Sequence, residues 1–194
     1  MYKWVSLLLL VTILMFWTVD ETIYANSNDK PQPLEESYSE IGYKTVDEAL
    51  SEFEKHFNQN VKLPLRVPPI NFTHYFGRFN DFDDEINDSF EIEFISDKSP
   101  ENHYKIDVRP IKHKIPFKDK EILKVYKLKH GKNAMYTKVS GFNILVFERD
   151  NWQYMLSVDR RVSNKVTAES LVQIANSIDY STELNKNLFT NGVR

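Results

Sequence analysis

The chain has 194 residues, 41% hydrophobic and 27% charged, the balance of one globular domain with a tail and not of a disordered, collagen-like or many-span membrane protein. It contains no cysteine, which excludes a disulfide scaffold, a thiolate zinc or iron–sulfur site, a cysteine nucleophile and a lipidated N-terminal cysteine. The net charge of −3 leaves no whole-chain basic field, so nucleic acid is not an expected partner.

Trp4 to Val19 is an uncharged apolar run behind a single basic residue, Lys3. With Ala25 before a cleavage point, residues 1–25 read as a secretory signal peptide. The alternative is an uncleaved anchor, because the run approaches the roughly 20 apolar residues that span a bilayer. Either reading places the remainder outside the cytoplasm, secreted or tethered, with membrane contact only through residues 4–19. Residues 26–40, with Pro31, Pro33 and several turn formers, are expected to be a flexible linker.

A single extracytoplasmic domain is expected over 41–179. Thr45 and Glu48 have the spacing of a capping box, and Val46, Ala49, Leu50, Phe53 and Phe57 follow as one helical stripe. Val61 to Pro69 holds three prolines and reads as an extended crossing segment. A strand is expected over His74 to Phe79. Phe90, Ile92 and Phe94 alternate with Glu91 and Glu93, while Tyr104, Ile106 and Val108 alternate with Lys105, Asp107 and Arg109, so these two runs form a hairpin. Further strands are expected from Ile122, from Ala134, from Phe142 and from Trp152, with turns at His130–Asn133 and Arg149–Asn151. The final helix opens at Thr167, with Val166 and Leu171 at staple spacing, and residues 180–194 read as a loose tail. The fold class is therefore α+β: an antiparallel sheet of about five to seven strands, one face wet, with an N-terminal and a C-terminal helix packed on the other.

Charge is sorted along the chain. Asp81 to Glu101 holds nine acids against Lys98, and Arg109 to Lys132 holds nine bases against Asp119 and Glu121. A calcium loop framed on Asp81, Asp83 and Glu85 fails, since no glycine stands at its sharp turn and Ile92 occupies the last position. The histidines His56, His74, His103, His113 and His130 have no HxH or HExxH spacing, and no metal, cofactor or catalytic residue is assigned. The basic block reads first as cross-strand pairing with Glu91 and Glu93, and second as attraction to an anionic partner. Lys124, Lys127 and Lys129, with Trp152 and Tyr154, are the candidate ligand or partner surface, although aromatics at two-residue spacing more often face a core.

The stretch Lys124 to Ile178 combines Gly131 before Ala134, Gly141 before an apolar strand, a hairpin carrying Phe147, Trp152 and Tyr154, and a helix of the form L-V-x-I-A-x-S-I from Leu171. With the proline-bounded Leu63 to Pro69, it resembles the extracytoplasmic domain of unknown function found in Gram-positive sporulation lipoproteins and at the C-terminus of some anti-sigma factors. The chain departs from both kinds of member: only Met1 to Lys3 precedes the apolar run, and there is no cysteine to lipidate. The resemblance implies an exported binding or sensing domain of the bacterial envelope with no inherited active site. Its partner would be an envelope protein or an anionic envelope component. The alternative is an envelope hydrolase or transferase that uses carboxylates the sequence does not single out.

Overall fold

The computed structural model describes residues 32–82 and 87–179. The expected signal or anchor, linker residues 26–31, the acids Asp83, Asp84 and Glu85, and the tail from residue 180 lie outside the described residues. Among the described residues, no helix is long and apolar enough to cross a membrane.

The chain forms an α+β domain built on one seven-stranded antiparallel sheet. In chain order come helix α1 (Leu34–Glu40), helix α2 (Val46–Phe57), then β1 (His74–Asn80), β2 (Ser89–Ile95), β3 (Tyr104–Pro110), β4 (Ile122–Lys127), β5 (Asn133–Val139), β6 (Phe142–Arg149), β7 (Trp152–Asp159) and helix α3 (Ala168–Ala175). The spatial order is β1-β2-β3-β7-β6-β5-β4. Two meanders, β1–β3 and β4–β7, thus meet edge to edge where β3 pairs with β7.

Local chemistry explains the helix ends. Thr45 Oγ1 accepts from the Glu48 amide at 3.3 Å and Glu48 returns a carboxylate to the Thr45 amide at 3.2 Å, satisfying two donors that the first turn leaves orphaned. Thr167 caps α3 through the Ser170 amide, and the staple residues Val166 and Leu171 are both buried. Helix α2 lies directly on the backbone of β1. A Cβ at Gly77 would fall 2.7 Å from Val46 Cα, so only glycine allows this approach.

The register aligns one row of side chains across all seven strands: Phe79, Phe90, Val108, Tyr154, Phe147, Ala134 and Tyr126. Phe53 of α2 packs on Phe79, Phe90 and Trp152, with ring centroids 5.0–5.9 Å apart. At the other end of the row the Tyr126 hydroxyl donates to Glu169 of α3 at 2.9 Å. The extended segment from Val61 crosses between them. Trp152 Nε1 donates to the Asn60 carbonyl and the Tyr154 hydroxyl to the Lys62 carbonyl, at 3.1 and 3.0 Å, so the polar tips of two core aromatics satisfy this strand-less backbone.

Two features depart from the sequence reading. Residues 34–40, expected to be flexible linker, form α1, whose Tyr38 stacks on Phe76 at 4.5 Å. Phe76 alternates with Gly77, so α1 lies against the set of side chains opposite to the one α2 covers. The face expected to be wet is also covered on the side of β4–β7. There the connection from β3 to β4 passes over the sheet, with Gln153 exchanging two hydrogen bonds with the Ile115 backbone and Thr137 donating to the Glu121 carbonyl. On the side of β1–β3, where Tyr43 reaches Glu91, all seven residues of β2 are buried, Glu91 and Glu93 among them.

Candidate functional site

Covering Glu91 and Glu93 is tolerable only because the register delivers partners. A buried carboxylate that loses its hydration must recover it from charges and donors close by. Arg78 stands directly opposite Glu91 on β1, and its Nε and Nη2 reach Oε1 at 2.7 and 2.5 Å. Lys105, opposite Glu93 on β3, contacts the other Glu91 oxygen and lies 3.3 Å from Glu93. The Tyr43 hydroxyl donates to Glu91 at 2.7 Å, while His103 closes on the outer oxygen of Glu93. Beside them Asp107 is held by a two-pronged contact with Arg109, both at 3.0 Å.

The titration shifts follow from these neighbours. Burial pushes the Glu91 carboxyl up, but the Lys105 ammonium, the Tyr43 hydroxyl and Arg78 outweigh it and hold the group below the ordinary glutamate value. Burial, the bond to Glu91 and the charge of Glu93 push the Tyr43 hydroxyl up. Asp107 is raised by burial, which Arg109 only partly offsets. The cross-strand pairing expected of the block Arg109 to Lys132 is supplied instead by Arg78 and Lys105, which lie outside it.

The candidate surface residues separate. Lys124, Lys127 and Lys129 are exposed on or just after β4, the outer strand of the sheet. Lys124 lies over the Tyr126 ring at 4.4 Å and 3.4 Å from Glu169, a loose exposed contact. Trp152 and Tyr154 do not join them. They are 1% and 0% exposed in the core, so the aromatic part of the expected surface is corrected to structural packing. Leu123 and Val125, on either side of Lys124, are exposed at 57% and 52%.

A concave site of about 650 Å³ opens instead at the turn joining β5 to β6, where Ser140 and Gly141 both take positive φ. Its walls include Tyr136, Lys138, Phe142, Asn143, Asp159 and Arg160. Asp159 is engaged by Arg161 at 2.6 Å, and that contact holds its carboxyl below the ordinary aspartate value. Lys138 and Arg160 contribute exposed positive charge. Asn143 is 2% exposed, and its Oδ1 has no hydrogen-bond partner. A buried amide oxygen without a donor costs on the order of 1–3 kcal/mol. Sequence reasoning passed over this site. Its one signal is the lone Asn143 in the apolar run Phe142 to Phe147.

Compared with known proteins, the chain matches no family model, no curated protein and no solved structure.

Proposed function

We propose that this chain is an exported, non-enzymatic binding or sensing domain of the bacterial cell envelope, with an anionic envelope component as its ligand. The observation that carries this reading is the site at the β5–β6 turn. It places the cations Lys138 and Arg160 on the walls of one concavity beside Tyr136. A ligand that carries negative charge on a sugar or polyol body suits cations beside an aromatic ring, as phosphate-bearing polyols and anionic glycans do. The exposed Lys124, Lys127 and Lys129 extend the positive surface along the neighbouring strand. The apolar run from Trp4 and the likeness to the extracytoplasmic domain of sporulation lipoproteins and anti-sigma factors support the location.

Binding of the full chain to a purified anionic wall polymer, followed across a salt series, tests the reading. Saturable binding that weakens steeply with salt and falls about tenfold in the K138E/R160E double variant is expected. Salt-independent retention, equal binding by the double variant, or turnover of an envelope substrate abolished by one polar substitution would each overturn it. The mass of the native N-terminus distinguishes a cleaved signal from a retained anchor.

A further inference from the structure

At the far corner of the sheet, three side chains from separate parts of the chain converge. His56 is the penultimate residue of α2, Asp81 follows the last residue of β1, and Asp88 precedes the first residue of β2. The β1–β2 pairing, which ends at Asn80 opposite Ser89, places the two aspartates on either side of the hairpin end. The docking of α2 on Gly77 carries His56 to them, and the imidazole packs against Phe79 and Phe57 at 5.1 and 4.6 Å. One ligand atom from each residue lies within 4.8 Å of the other two, the one such convergence of three among the described residues.

The decisive member is Asp88, which is 0% exposed. Its Oδ1 accepts the Phe82 amide at 2.7 Å, which fixes the carboxylate plane. Its Oδ2 faces His56 Nε2 at 3.1 Å yet accepts no hydrogen bond there. Such an oxygen contrasts with Glu91, whose two oxygens are both taken. Two atoms bound to a common ion by bonds of about 2.0–2.2 Å stand roughly 3.0–3.5 Å apart, the separation seen between Asp88 and His56. Asp81 is exposed at a strand end and has room to close the remaining distance. A cavity of about 380 Å³ opens beside His56 and Asp81, with space for water to complete the coordination.

We infer that His56, Asp81 and Asp88 form a binding site for one divalent transition-metal ion of the zinc class. Two carboxylates and a neutral imidazole neutralise a divalent charge, and the backbone bond to Oδ1 supplies the outer-shell support that such ligands need. The nitrogen donor selects against Ca²⁺, which takes six to eight oxygens, and favours Zn²⁺ or its neighbours. The inference goes beyond the binding role proposed above and does not depend on it, since the two sites share no residue.

The test is Zn²⁺ binding by the chelator-treated full chain, followed by calorimetry and by the unfolding temperature, with Co²⁺ absorption reporting the donor set. One ion per chain is expected, together with a metal-dependent rise in unfolding temperature and a Co²⁺ spectrum of mixed nitrogen and oxygen ligands. Separate H56Q and D81N variants, each confirmed as folded by circular dichroism, should bind Zn²⁺ at least about tenfold more weakly. Full-strength binding by both variants would place the ion on another histidine and overturn the inference. So would the absence of any Zn²⁺-dependent rise in unfolding temperature in the unmodified chain, or equal stabilisation by Ca²⁺.

Discussion

The acids of the β2 region are treated in two ways by the same fold. In the middle of the strand, Glu91 and Glu93 are enclosed, and their oxygens meet Arg78, Lys105, the Tyr43 hydroxyl and the His103 imidazole. At the strand's entrance Asp88 is buried still more completely, but one of its oxygens lacks a hydrogen bond. The difference lies in the sheet. Glu91 and Glu93 sit within ladders that bring Arg78 and Lys105 opposite them, whereas Asp88 lies one residue beyond the last rung. Interior charges can be completed by the chain itself, and a charge at the end of a ladder is where completion can come from outside.

Breaking the enclosed side should have the largest effect. Glu91→Ala leaves Arg78 without its buried counter-charge and Lys105 with Glu93 as its remaining close partner. Because those cations keep 30% and 28% of their side-chain surface exposed, a loss of about 3 kcal/mol is expected, the low end for a broken buried pair, read from urea unfolding. Next comes Gly77→Ala, which forces α2 away from β1. A loss of about 2 kcal/mol is expected by the same measurement, accompanied by weaker Zn²⁺ binding because His56 rides on that helix.

Acid should act on Glu91 more gradually. The folded value of Glu91 lies below its ordinary one, so its contribution is present above the ordinary glutamate range and is lost as pH falls through the folded value. Glu91→Gln should therefore flatten the acid limb of a stability–pH curve, and an unchanged slope would assign that limb to other groups. The smallest effect is expected from Asp88→Asn in chelator. The Phe82 amide keeps its acceptor and the other oxygen has no hydrogen bond to lose, so stability should change by less than about 1 kcal/mol. Added Zn²⁺ should then separate the variant from the unmodified chain, which alone gains stability.

The sequence discloses what is local in this molecule. The capping box at Thr45 and Glu48, the stripe through Phe53, and the hairpin of Phe142–Arg149 with Trp152–Asp159 are written in neighbouring residues and have the expected form. Helix α1 is not legible because its seven residues carry little intrinsic signal, and Tyr38 holds its place through Phe76, far along the chain. The face expected to be wet departs from its pattern for a related reason. Glu91 and Glu93 alternate with apolar residues as solvent-facing charges do, and only the register shows that Arg78 and Lys105 make burial affordable. Trp152 and Tyr154 are core residues because their polar tips meet the carbonyls of Asn60 and Lys62, a match that spacing alone does not reveal. His56 stands 25 positions before Asp81 and 32 before Asp88, so no metal-binding motif announces the trio.

The junction of β3 with β7 also sets an order in time. The first meander is made first, but the inner edge of β3 has no partner until residues 152–159 have emerged. Until then Tyr104, Ile106 and Val108 present an apolar strand with an open hydrogen-bonding edge, a surface that invites pairing with another chain. The interval between synthesis of Pro110 and of Trp152 is therefore the period in which a newborn molecule is most exposed to self-association, and substitutions that delay β7 should reduce yield even where the finished fold tolerates them.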